Sequence, residues 1–224
     1  MEGVIVEVWS DVVCPWCYIG KRRFETAATR LADDPEFDRQ LDVVYRPFQL
    51  DPNTPPGTTM PAVDAYARKF GGPERAAAII DHVTNIAAAE GLEFHLDRAQ
   101  RANTRDAHRA LWYARHSGPA GAQGALKERL LAAYFTDGSN IADPELLAAE
   151  AGRAGLDRDN VLGMPASDEG IAEVSESLTF AADAGITAVP TYVIDGRWSI
   201  PGAQDPDVFV QVLRRLADRA ERAG

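Results

Sequence analysis

Sulfur is scarce in this chain. Among 224 residues there are two cysteines and three methionines, so no disulfide framework can hold the fold, and a core must come from apolar burial alone. Histidine is nearly as rare. His82, His95, His108 and His116 show no H-x₃₋₅-H spacing, and with one cysteine pair a four-ligand zinc site is not expected. Positive charge is also in deficit: 23 Lys and Arg against 34 Asp and Glu give a formal net charge of −11, which argues against an electrostatic grip on nucleic acid and serves solubility. No apolar run approaches the length of a membrane span. The first residues read as a strand, with no basic n-region or apolar h-region. The expectation is a cytoplasmic protein, in a compartment that keeps thiols reduced.

Both cysteines fall in one run, Cys14-Pro15-Trp16-Cys17. Before it lies Val4-Ile5-Val6-Glu7-Val8-Trp9, β-branched and almost continuously apolar, the pattern of a buried strand. A helix should follow at once, with Cys14 at the N-cap and Pro15 at the first helical position, where a missing N–H costs nothing. Cys14 would then face free backbone N–H groups and the positive end of a helix dipole, which favour thiolate over thiol. Cys17, Phe24 and Leu31 recur every seven residues, so Cys17 belongs to the apolar stripe. An exposed attacking Cys14 and a shielded resolving Cys17 are therefore expected, the arrangement that exchange through a mixed disulfide requires. Haem attachment would want His rather than Tyr18, an iron–sulfur cluster would want more cysteines, and a disulfide across two residues would add little stability.

After a second strand at Leu41–Arg46 and a Pro-rich break at Asp51–Gly57, the text from about residue 60 to 185 is Ala-rich with helical spacing. Five or six helices are expected there, including Pro73–Glu90, Arg105–His116, Gln123–Phe135, Pro144–Ala154 and Asp168–Ala184. Leu92–Leu96 alone reads as extended. Strand signals return at Thr191–Ile194 and Arg197–Ile200, joined by a two-residue Asp195-Gly196 turn. A last helix has Asp205 as N-cap and Val208, Val212, Leu213 and Leu216 on its apolar face.

Asp11-Val12-Val13-Cys14-Pro15-Trp16-Cys17-Tyr18-Ile19-Gly20, together with Gly185–Thr191 and Gly202-Ala203-Gln204-Asp205, resembles the DsbA-like oxidoreductases of the FrnE type. Relatives in that superfamily are 2-hydroxychromene-2-carboxylate isomerases and kappa-class glutathione transferases. The resemblance implies an α/β protein: a thioredoxin fold with a large all-helical domain inserted between its βαβ and ββα halves. Residues 1–55 and 186–224 would form the thioredoxin-like domain and 56–185 the insertion. It implies a cis peptide at Val189-Pro190 facing the dithiol, where Val189 would pair with an extended substrate; a trans Pro190 opening an edge strand is the alternative.

The isomerases and transferases carry Ser at the position of Cys14, so two cysteines favour a thiol–disulfide oxidoreductase that uses no bound cofactor. Its partners would be protein disulfides, or glutathione as co-substrate, with neither nucleic acid nor membrane. A glutathione-dependent isomerase or transferase of a small aromatic or polyketide-like molecule is the alternative, and a redox-linked chaperone the next. Pro15 and Trp16 would lie beside a bound substrate and tune the potential; with Trp16 where DsbA has His, a less oxidising couple is expected. Asp11 is either a proton acceptor or a loop residue bonding local N–H groups. Lys21, Arg22 and Arg23 read as a solvated helix face. His108 can relay protons or contact substrate, or be an ordinary core histidine. Gln204 falls where relatives hold glutathione, and Arg46, Phe48 and Trp198 are candidates to line the same cleft.

Overall fold

The computed structural model describes residues 3–223. Its first strand, β1 (Val4–Ser10), is followed by helix α1 (Pro15–Ala32) and strand β2 (Leu41–Pro47). The helix carries the chain back across the sheet, so β2 lies parallel to β1, with Val4 opposite Leu41 and Ser10 opposite Pro47. From the far end of the chain, β5 (Thr191–Ile194) pairs antiparallel with β1 and β6 (Trp198–Pro201) pairs with β5. The four-stranded order is β2-β1-β5-β6. Residues almost two hundred apart thus complete one sheet, and α9 (Pro206–Ala223) packs beside α1.

Between the two halves run β3 (Met60–Pro61), α2 (Ala62–Phe70), α3 (Pro73–Ala89), β4 (Gln100–Arg101), α4 (Arg105–Ser117), α5 (Ala122–Phe135), α6 (Pro144–Arg153), α7 (Arg158–Gly163) and α8 (Ile171–Asp183). The architecture is the expected thioredoxin fold with a helical insertion. Among the described residues no helix is long and apolar enough to cross a membrane.

Several local expectations are corrected. Leu92–Leu96 is not a strand: Leu92, Phe94 and Leu96 are buried among the inserted helices, and the only ladder seen there is the two-residue pairing of β3 with β4. Helices α2 and α7 were not anticipated; the short α7 is started by Asp157, whose carboxylate accepts the N–H groups of Asp159 and Asn160. Asp195 and Gly196 both have positive φ, as a tight hairpin turn requires, yet Ile194 pairs with Trp198, leaving Arg197 outside the ladder. The Arg197 N–H instead closes the turn on the Ile194 carbonyl, and Asp195 is tied to β1, giving its N–H to the Ile5 carbonyl and accepting the Ile5 N–H on its carboxylate. On α9 Asp205 caps the helix as expected, through the Asp207 N–H, but Val208 is exposed and the buried stripe runs Phe209, Leu213, Ala217.

Two apolar clusters result, and α1 serves both. Phe24, Ala27 and Leu31 pack with β1, β5 and α9, whereas Tyr18 and Ile19 join Leu126, Leu130, Tyr134 and Phe135 of the helical insertion. The start of α1 therefore lies where the two clusters meet.

Candidate functional site

Cys14 sits at the N-cap of α1 with extended backbone (φ −96°, ψ 114°), and Pro15 takes the first helical position. The expected difference in exposure between the cysteines is not found: each is 3 % exposed, and both are free thiols. The helical insertion explains the correction, since Val12 and Val13 on one side of Cys14 and Tyr18 and Ile19 on the other are packed into its core. Trp16, between the cysteines, is 39 % exposed and Pro15 is buried, so of the pair only the indole is presented to a partner molecule.

The Cys14 thiol points at the Val189 carbonyl oxygen, 3.7 Å away. The Val189-Pro190 peptide is cis. Pro190 is buried, its carbonyl accepts the Gly202 N–H at 2.7 Å, and Val189 is half-buried beside it. Gly20, one turn into α1, lets this segment approach. A Cβ there would stand 2.8 Å from the Tyr192 hydroxyl, 2.9 Å from Pro190 Cγ and 3.3 Å from Ala203 Cβ. Gly20→Ala gains about 1 kcal/mol of helix propensity but must push Pro190 away from α1, which costs about 1–3 kcal/mol. The variant is expected to be less stable in urea and to have an altered rate of Cys14 alkylation.

The electrostatics separate the two thiols. Burial opposes ionisation of Cys14, but the Cys17 thiol and the Cys17 N–H both donate toward its sulfur and hold its pKa below the ordinary 9.0. Asp11 opposes this, and Lys127 assists it. Cys17 is pushed well above 9.0 by burial and by the negative charge of Cys14. The two neighbouring thiols are therefore displaced in opposite directions, Cys14 toward thiolate and Cys17 toward thiol.

Asp11 takes the second of the two readings open for it, a loop carboxylate bonding backbone N–H groups. Fully buried, it accepts the Val12 and Leu50 N–H groups at 2.8 Å each, and its Oδ1 lies 3.2 Å from His108 Nε2. Burial raises its pKa, but the His108 hydrogen bond and the Leu50 N–H bring it below 3.8. Of the readings open for His108, a proton relay, a substrate contact or an ordinary core histidine, its burial matches the last: it is 2 % exposed, and its Nε2 is also 2.9 Å from the Phe48 carbonyl. It supports Asp11 from α4.

The run Lys21-Arg22-Arg23 is not a solvated face. Lys21 is 5 % exposed and donates to Glu25 and Glu128; Arg22 donates to Glu128; Arg23 donates to Glu90 and to the Ala203 carbonyl. Glu128 of α5 also accepts the Tyr18 hydroxyl at 2.8 Å, so these charges tie α1 to the insertion. Gln204 lies in the loop beside Pro190, with its amide donating to the Pro201 carbonyl at 2.6 Å. Arg46 is held by Glu7, and Trp198 pairs with Ile194 at the end of β5 away from Thr191 and Pro190, so it does not line a cleft at the dithiol.

Residues that sequence reasoning missed come mostly from α5. Gln123 bridges the N–H and carbonyl of Tyr45 on β2 and also donates to the Leu111 carbonyl. Lys127 is 1 % exposed with its ammonium nitrogen unpartnered. Its spacing from Leu130, Leu131 and Tyr134, at three, four and seven residues, marks it as a member of the apolar stripe.

Comparison with known proteins agrees with this geometry. YwbO, an uncharacterized protein of Bacillus subtilis, is 26 % identical over 224 residues, covering 94 % of this chain and 96 % of that protein. A probable DsbA oxidoreductase of Streptomyces coelicolor is 36 % identical and superposes with a TM-score of 0.84 over 95 % of this chain and 89 % of its own. The cytosolic disulfide reductase DsbM of Pseudomonas aeruginosa, solved with GSH, shares the fold at 18 % identity, with a TM-score of 0.64 over 96 % of this chain and 99 % of its own. The DSBA-like thioredoxin domain matches residues 5–214, nearly the whole chain, and this protein belongs to that family of thioredoxin-fold oxidoreductases.

Proposed function

We propose that this protein is a thiol–disulfide oxidoreductase whose redox centre is Cys14 and Cys17. The observation that carries the reading is the opposite displacement of two neighbouring thiols: Cys14 held toward thiolate, Cys17 held as thiol, with the Val189 backbone 3.7 Å from the Cys14 sulfur. In the forward step the Cys14 thiolate attacks a substrate disulfide, forming a mixed disulfide and releasing one substrate thiolate. Cys17 loses its proton and attacks the Cys14 sulfur, releasing the second substrate sulfur and leaving Cys14–Cys17 oxidised. Two electrons pass from the dithiol to the substrate. Glutathione is the proposed reductant that returns the pair to thiols, a role supported by the glutathione-bound state of the Pseudomonas relative. That relative is described as cytosolic, and the same compartment is proposed here.

The test is a Cys17→Ala variant, which cannot resolve its mixed disulfides. In mildly oxidised lysate it is expected to accumulate dithiothreitol-sensitive adducts with many proteins on non-reducing gels. Glutathione or a small molecule as the sole adduct on Cys14 would replace this reading with the glutathione-dependent isomerase or transferase. Protection of unfolded clients by a protein lacking both cysteines would favour the chaperone.

A further inference from the structure

The least expected side chain in the molecule is Lys127. Its nitrogen is buried with no hydrogen-bond partner, whereas every other lysine or arginine at the junction of sheet and insertion is bonded: Lys21 to Glu25 and Glu128, Arg22 to Glu128, Arg23 to Glu90. A buried, unbonded ammonium is costly unless an anion compensates it, and otherwise the amine gives up its proton. The groups facing it are few. From α1 come Cys17, Cys14 at the helix start, and Lys21; from the β1–α1 turn comes Asp11, itself supported by His108 of α4; from β2 the ring of Tyr45 stands 5.8 Å from the nitrogen. Lys21 repels it, but that charge is already compensated by two carboxylates. The Tyr45 face favours the cation weakly. The groups whose negative charge favours a proton on Lys127 are Cys17 once it ionises, Asp11, and Cys14.

Asp11 is a fixed charge, but the cysteines are not. The negative charge of Cys14 exists only in the dithiol and is erased by the disulfide. We propose that Lys127 is the redox-linked proton site of this centre, an ammonium while the cysteines carry a thiolate and an amine once the Cys14–Cys17 disulfide has formed. The reaction then balances with no change of net charge in the buried site: Cys14 thiolate, Cys17 thiol, Lys127 ammonium and a substrate disulfide give the Cys14–Cys17 disulfide, Lys127 amine and two substrate thiols. One of the two protons on the products comes from Cys17 and the other from Lys127, each delivered through solvent. Because a Cys17 thiolate and the Lys127 ammonium attract each other, Lys127 favours the moment at which Cys17 ionises to resolve the mixed disulfide. Lys127 balances charge without touching the reacting sulfurs, so it is a positioning residue.

The proposal rests on the dithiol reading but is tested apart from it. In wild-type protein the Lys127 side-chain signal, assigned by its absence in Lys127→Met, is followed by NMR against pH in the reduced form and in the form oxidised by diamide. By reciprocity of linkage Lys127 is expected to lose its proton at a pH at least one unit lower in the disulfide form, a tenfold change in protonation. Identical titrations in the two forms would overturn the proposal. Diamide oxidation needs no turnover, so this comparison reads the coupling even in a protein that proves inactive toward protein disulfides. In a second measurement Lys127→Met is expected to lengthen the lifetime of a mixed disulfide on Cys14 about tenfold, with Lys127→Arg restoring it; an unchanged lifetime in a folded Lys127→Met protein would also overturn it.

Discussion

Replacing Cys14 by serine is expected to remove disulfide exchange, by on the order of a thousandfold or more, while the fold and thermal stability stay close to wild type. The hydroxyl is near the size of the thiol and is not ionised at neutral pH, so the attacking group is lost. Cys17 cannot take over. Burial is the largest of the causes that raise its pKa and persists in the serine variant, and Cys17 belongs to the packed stripe of α1. The pH dependence of the wild type has a definite sign. Cys14 is displaced below 9.0, so the rate with a small disulfide should fall as pH drops through the Cys14 pKa and level off above it. Stopped-flow reduction of a small disulfide, in wild type and Cys14→Ser, measures both effects. Full turnover by the serine variant would remove Cys14 from the mechanism; activity that survives only with added glutathione would point to the isomerase or transferase.

The parts of this site that were legible in the sequence were those encoded locally. A β-branched run, a cysteine at an N-cap and a proline at the next position specify β1, the turn and the start of α1 within fourteen residues, and the structure has that order. The same logic places Asp205 as the cap of α9. What was not legible came from contacts between segments far apart. Nothing near Cys14 says that residues from α5 will cover it, so an exposed thiol was expected where a buried one is found. Lys21, Arg22 and Arg23 look like solvent-facing charge until Glu128 and Glu90 arrive from the insertion. Lys127 lay between the two cases. Its position in the stripe of Leu130, Leu131 and Tyr134 was visible, but a lysine in such a stripe is normally discounted because its long stem can carry the charge out to water. Here the ring of Tyr45 and the start of α1 close that route.

Asp11→Ala should give the largest loss of stability at the site, and in the reduced protein it should shift Cys14 the other way. Removing the carboxylate leaves the buried N–H of Val12 and the part-buried N–H of Leu50 without acceptors and takes from His108 one of its two partners. Leaving such donors without acceptors costs about 1–3 kcal/mol for each, and each kcal/mol lowers Tm by roughly 2–4 °C for a chain of this size. Asp11→Asn keeps an oxygen for one N–H but turns an amide donor toward the other, so its loss should be smaller. The pH dependence follows from the direction of the shift. Asp11 has a folded pKa below its ordinary 3.8, so its contribution is complete above 3.8 and disappears as pH falls through the folded value. The Ala variant and the wild type should therefore converge in stability in strong acid and differ most at neutral pH. Cys14 responds to the lost charge itself. Asp11 repels its thiolate more than Lys127 attracts it, so even allowing for a weaker Lys127 cation, removing the carboxylate should let Cys14 ionise at lower pH. Thiolate absorbance in the folded Asn variant measures that shift, and urea unfolding against pH measures the stability. A Cys14 titration that moves upward would mean that Asp11 acts on the sulfur mainly by holding the turn between β1 and α1 in place.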